Sequence, residues 1–96
     1  MKFDFGWDPR KAKVNQRKHG VSFGQAATVF KDPRMLSVFD HEHSEEEERW
    51  VTLGISSTGA LLAVHHSFKM TDTETALIRI ISSRKATRAE KKQYAE

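Results

Sequence analysis

Apolar residues open the chain at every second position. Phe3, Phe5 and Trp7 are separated by Asp4 and Gly6, the spacing of a short strand with an aromatic face. Asp8-Pro9 then starts a helix, since aspartate caps a helix N-terminus and proline suits the first helical position. The helix is predicted to run to His19, with Gly20 as its left-handed terminator. Its apolar content is little beyond Ala12 and Val14, so it is expected on the surface with its basic side chains exposed. Ser22 to Gln25 has the spacing of a capping box, and Val21 and Ala26 take the staple positions around it. Phe23, Ala26, Ala27 and Phe30 fall at i, i+3, i+4 and i+7, so one face of this second helix packs into a core. Asp32-Pro33 ends it, because the residue before proline disfavours helix.

The period then changes from helical to twofold. Met35–Phe39 reads as a short strand. Arg49–Ser56 alternates Val51, Leu53 and Ile55 against Trp50, Thr52 and Gly54. Ser57-Thr58-Gly59 is a hairpin turn, and Leu61–Phe68 returns with Leu62, Val64, His66 and Phe68 on one face. Met70–Thr75 is polar and turn-like. Ala76–Ser83 is the most apolar strand and is expected inside the sheet. Thr87 to Glu90 repeats the capping-box spacing and opens a final basic helix through Tyr94. The order β-α-α-β-β-β-β-α implies an α+β domain spanning residues 1–96, its largely antiparallel, twisted sheet packed by the helices.

A chain of 96 residues suits one domain with one core and little volume for an enclosed cofactor pocket; no cofactor is expected. There are no cysteines, which excludes disulfides, thiolate metal sites and cysteine catalysis and fits a reducing cytosol. No apolar run approaches the roughly 18–20 residues of a membrane span, and Met1–Phe5 lacks the apolar core of a signal peptide. The expected location is cytoplasmic, with no membrane partner.

The formal net charge is +3, and its distribution matters more than its size. From Pro9 to Lys31 there are six cations and no acid: Arg10, Lys11, Lys13, Arg17, Lys18 and Lys31. Acids concentrate at Asp40, Glu42 and Glu45–Glu48, and cations return at Arg79, Arg84, Lys85, Arg88, Lys91 and Lys92. Two basic regions flanking an acidic one suit a polyanionic partner; solvated helix faces are the plain alternative.

Several residues are candidates for chemistry. His19 can exchange protons near neutral pH, or simply complement the dipole at a helix C-terminus. Asp40, His41, Glu42 and His43 have the composition of a metal cluster but match no ligand spacing, so a solvated loop is expected and no metal. His65 and His66 are adjacent on a strand and point to opposite faces; His66 is expected to pack on the apolar one. Arg79 interrupts Leu77-Ile78-Arg79-Ile80-Ile81, where a buried charge must be paired or open onto a cleft. It is either a structural ion, with Glu48 or Glu74 as partner, or a guanidinium gripping a phosphate. Arg84 and Lys85 follow just before a helix N-terminus, itself a place for anions. Glu48 and Arg49 are a base with its orienter, or a surface pair. Tyr94 either stacks a base or packs its helix onto the sheet.

Taken together these pieces resemble the BrnT toxin family. The matching segments are Phe5-Gly6-Trp7-Asp8-Pro9, Lys11, Asn15, Lys18-His19-Gly20-Val21-Ser22-Phe23, Ala26, Val29-Phe30, Asp32-Pro33, Glu48-Arg49 and Gly54. The most distinctive is Ile78-Arg79-Ile80-Ile81-Ser82-Ser83-Arg84-Lys85-Ala86-Thr87, with Glu90 and Tyr94 beyond it. The family often carries a carboxylate where Gly24 stands, and glycine there weakens the helix by up to roughly 1 kcal/mol.

The resemblance implies a RelE-like fold and an endoribonuclease toxin that cleaves RNA and halts growth. It implies a BrnA-like ribbon-helix-helix antitoxin as partner, with a heterotetramer as one expected assembly and promoter DNA bound only through that complex. It also implies metal-independent cleavage: the 2′-hydroxyl attacks the adjacent phosphate, a base takes its proton, and cations stabilise the transition state. Onto this map Arg79 and Arg84 as phosphate clamps, Lys18 and His19 for proton transfer or phosphate contact, and Glu48 and Arg49 as base and orienter. Lys11, Lys85 and Tyr94 complete the expected RNA contacts. The rival reading is a non-catalytic basic module that binds nucleic acid or protein.

Overall fold

Asp8 and Gly20 bound the first helix, α1 (Pro9–His19), in the computed structural model, which describes residues 1–96. Asp8 accepts a hydrogen bond from the Arg10 amide at 2.8 Å, and Gly20 takes φ 70°, donating to the Gln16 carbonyl. Strand β1 (Lys2–Gly6) precedes it. The second helix, α2 (Phe23–Ala27), tightens into a 3₁₀ turn over Thr28–Lys31. Ser22 caps α2 through the Gln25 amide, but the capping box is only half made. The Gln25 side chain instead donates to Ser56 and Thr58 in the later hairpin turn, at 3.3 and 2.6 Å.

The remaining elements are β2 (Leu36–Phe39), a 3₁₀ turn over His41–His43, β3 (Arg49–Ile55), β4 (Leu61–Met70), β5 (Thr75–Lys85) and α3 (Arg88–Ala95). This is the order expected from the hydrophobic pattern. The sheet runs β1-β5-β4-β3-β2, with β1 parallel to β5 and every other pair antiparallel. β5 is an interior strand, as its apolar run requires. Val21, Phe23, Ala26, Val29 and Phe30 from the helical segments pack on Leu62, Val64, Ile78 and Ile80 of the sheet. Phe3 and Phe5 of β1 close this face against Phe30, with ring centroids 5.7 and 5.4 Å away. At Gly54 a Cβ would meet Val29 Cγ1 at 2.6 Å, so the 3₁₀ turn seats on β3 only because that position lacks a side chain.

β1 pairs with β5 only as far as Arg79. Beyond it Asn15, buried on α1, acts as a surrogate strand. Its amide donates to the carbonyls of Ser83 and Val21 at 2.8 and 3.0 Å, and its oxygen accepts from the Ser83 amide at 3.0 Å. A buried backbone pair that would otherwise lack partners is thereby satisfied, and α1 is fixed along the β5 edge. On the other face of the sheet Leu53 and Ala63 are also buried; α3, tied to that face through Arg84 and Glu90, closes it there. The rest of that face is open.

Candidate active site on the open face of the sheet

Side chains alternate across a sheet, so the register of β3, β4 and β5 sorts the candidates. On the open face three rows lie side by side: Arg49–Ser67–Arg79, then Val51–His65–Ser82, then Leu53–Ala63–Arg84. Arg79 and Arg84 are five positions apart, which in an unbroken strand would put them on opposite faces. A register shift between His65 and His66 moves the pairing from Ser82 to Ile80 and leaves Ile81 unpaired. That β-bulge adds one residue to β5 and brings both arginines to the same side.

Arg79 is not a buried charge. Ile78 and Ile80 are buried while Leu77 and Arg79 are exposed, the Arg79 side chain being 47% accessible. No large desolvation penalty has to be offset. Its partner is neither Glu48 nor Glu74 but Glu47, whose Oε1 accepts from the Arg79 guanidinium and from Arg49 Nε at 3.1 Å. Arg49 Nη2 is 3.1 Å from the same oxygen. Two guanidiniums thus converge on one carboxylate oxygen, with Ser67 between their strands. Glu48 lies on the other side, where its carboxylate accepts from Trp50 Nε1 at 2.9 Å.

Arg84 is half-buried and its fork is filled by Glu90, at 2.6 and 3.2 Å. Glu90 also caps the Thr87 amide, completing the box that starts α3. The Arg84 contact holds the Glu90 carboxyl down at about 2. His65 lies between the two arginine rows on the middle strand. Burial and the nearby Arg84 charge push its imidazole below the ordinary value. His66, as expected, packs on the covered face, edge-on to Phe30 at 4.9 Å. Its Nδ1 meets the Ser67 carbonyl at 3.0 Å, so Nδ1 carries the proton and the Thr52 hydroxyl donates to Nε2 at 2.7 Å. Ser37 hydrogen-bonds Thr52 in turn, at 2.8 Å. Burial drives His66 to about 4.

A second cationic site lies along the β5 edge. Arg10, Lys11, Lys18 and His19 of α1 line a cleft of about 310 Å³ with Val14, Asn15, Ile81 and Ser82. Ser82 belongs both to this cleft and to the His65 row, so the two sites adjoin. Lys85 is exposed at the end of β5, in register with Leu62 on the helix-covered side. Tyr94 is half-buried and donates its hydroxyl to Asp32, which also accepts from the Ile55 amide at 2.8 Å. That is the far end of β3 from Arg49, about 20 Å along the strand at 3.3 Å per residue, so Tyr94 is not brought to Arg49 and Arg79. Asp40 caps the turn over His41–His43 and holds His43 Nδ1 at 2.9 Å. No three His, Asp or Glu side chains converge there or elsewhere.

The residues that sequence reasoning passed over are Glu47, Ser67, Ser82 and Glu90, and His65 as a member of the face. Glu47 was within reach: two positions before Arg49, it shares that residue's face, whereas Glu48 does not.

The fold is a small α+β domain, one five-stranded sheet packed by three helices. It superposes on the 1.1 Å crystal structure of the Brucella abortus ribonuclease toxin BrnT with a TM-score of 0.56 at 21% identity, covering 92% of this chain and 100% of that one. The family model for the ribonuclease toxin BrnT of type II toxin–antitoxin systems matches residues 7–90, and the chain belongs to that family. No individual curated protein sequence matches it. Membership makes it a ribonuclease toxin with an antitoxin as partner. No helix is long and apolar enough to cross a membrane.

Proposed function

We propose that the protein is an endoribonuclease that cuts RNA on this open face without a metal ion, acting in the cytoplasm and halting growth until a BrnA-like ribbon-helix-helix antitoxin binds it. The observation that carries the reading is the convergence of Arg49 and Arg79 on a single carboxylate oxygen. A seat that holds one anionic oxygen between two guanidiniums suits a phosphate oxygen equally well. Transfer of a phosphoryl group to a neighbouring 2′-hydroxyl builds charge on the non-bridging oxygens, and fixed cations stabilise it without a Lewis acid. Lys11, Lys18 and His19 extend the cationic track past Ser82 and follow the RNA backbone. Arg84, already engaged by Glu90, contributes field rather than a free fork, and Lys85 a peripheral charge. Promoter DNA is left to the antitoxin in the complex.

Arg79→Ala tests the reading. Loss of a contact made mostly in the transition state costs about 2–4 kcal/mol, or about 10²–10³ in rate. Because Arg79 is exposed, its melting temperature should stay near that of the native protein, and expression should no longer arrest growth. Lysine keeps the charge but not the planar fork, so Arg79→Lys restores only part. Cleavage should survive a strong chelator. A native protein whose expression is tolerated and which binds RNA without cutting it is a binding module, and the proposal fails.

A further inference from the structure

We propose that His65 is the catalytic residue that takes the proton from the attacking 2′-hydroxyl, an assignment that rests on the reading just given. His65 stands on β4, the middle strand of the five, in the row between Arg49–Ser67–Arg79 and Leu53–Ala63–Arg84. Its Cα is about 7 Å along the strand from that of Ser67, at two residues of 3.3–3.4 Å each, and one strand spacing of about 5 Å from β5. A phosphate seated by Arg49 and Arg79 therefore presents its attached ribose to the imidazole. His19 lies in the adjoining α1 cleft rather than between the arginine rows, and the carboxylates and the other imidazole beside the rows are committed elsewhere. Glu47 Oε1 is taken up by both guanidiniums, Glu48 is turned to Trp50, and both nitrogens of His66 are bonded on the covered face.

The charged groups whose field reaches the ring are Arg84 of β5, Glu90 of α3, and Asp40 and His43 of the β2–β3 connection. Burial and Arg84 outweigh the two carboxylates, so the ring is neutral at pH 7 and free to accept a proton. In the step itself the 2′-hydroxyl proton passes to a ring nitrogen and O2′ bonds the phosphorus. The P–O5′ bond breaks with its electron pair on O5′, and O5′ takes up a proton from the imidazolium or from water. The products are a 2′,3′-cyclic phosphate and a 5′-hydroxyl, with no co-reactant consumed.

The test uses the full chain as native protein, Arg79→Ala, His65→Ala and His65→Gln, on mixed-sequence single-stranded RNA and on total RNA with ribosomes. His65→Ala is expected to melt near the native temperature and to lose about 10²–10³ in rate, with part restored by added imidazole. The native rate should fall on the acid side with a midpoint below about 6.5, and this limb should vanish in both His65 variants. If the native protein cuts, Arg79→Ala does not, and both His65 variants cut at the native rate with the native pH profile, the assignment is overturned while the reading of the face stands. If the native protein does not cut either RNA, the reading and the assignment fall together. Should His65→Ala not fold, His65→Gln and the native pH profile decide: a profile flat from about pH 5 to 8 overturns it.

Discussion

Glu47 occupies the seat that the proposed substrate needs. A phosphate entering between Arg49 and Arg79 must displace a carboxylate already held by both, so part of its binding free energy goes into breaking those contacts. Glu47 is the third of four consecutive glutamates in the β2–β3 connection, and their summed charge also repels RNA at the mouth of the site. Glu47→Ala is therefore expected to bind an uncleavable oligonucleotide, with 2′-deoxyribose at the scissile position, about 3–10-fold more tightly. The magnitude follows from losing one competing charge-assisted contact at an accessible pair. Binding should also depend more steeply on salt, because two guanidiniums become free to release counterions. Weaker binding by this variant would mean that Glu47 orients the arginines rather than competes for them. At the same scale, Arg79 teaches how a run of apolar neighbours misleads. Four flanking aliphatics suggested burial on both sides, yet only the two at odd spacing from it, Ile78 and Ile80, are buried.

At the scale of elements, what the sequence made legible is what local chemistry dictates. Asp8, Pro9 and Gly20 fix α1, Thr87 and Glu90 start α3, and twofold alternation marks β3 and β4, because caps and periods act over a few residues. What stayed hidden depends on contacts distant along the chain. The bulge at Ile81 shows only in the pairing with β4, so the shared face of Arg79 and Arg84 could not be read from their spacing. Gln25 was expected to close a local box and is drawn instead to Ser56 and Thr58, some thirty positions away. Asn15 is the clearest case, a polar residue on a basic helix that completes the hydrogen bonding of β5. Asn15→Ala should cost about 2–4 kcal/mol, since one change strands several buried polar groups. Asn15→Asp should be no better, because a carboxylate cannot donate to the Ser83 and Val21 carbonyls. A denaturant midpoint for Asn15→Ala close to the native one would show that water replaces the side chain and that α1 is held by apolar packing alone.

For the whole molecule, two titrating groups tie stability to pH from opposite faces of the sheet. His66 lies near 4 in the native state, against about 6.5 unfolded. Above pH 6.5 it is neutral in both states and its contribution is complete. As pH falls from 6.5 toward 4 the unfolded chain binds a proton that the native chain refuses, and stability declines by up to about 3 kcal/mol. Glu90 lies near 2 because of Arg84, against about 4.3–4.5 unfolded. Its contribution is complete above that range and is lost as pH falls through it toward 2. Solvent around the pair reduces this second loss to about 1 kcal/mol. The melting temperature is thus expected to fall from pH 7 to pH 5 chiefly on account of His66, with His65, also held below its ordinary value, adding to the loss, and further below pH 4.5 as Glu90 joins. His66→Gln should melt lower than the native protein at pH 7, having lost its fit against Phe30 and Thr52, but should fall by less between pH 7 and 5, the slope that remains belonging to His65. A native melting temperature unchanged over that interval would remove His66 from the account. The same interval contains the acid limb assigned to His65, so rates must be read against the folded fraction at each pH. Only a loss of cleavage that precedes the loss of structure belongs to the open face.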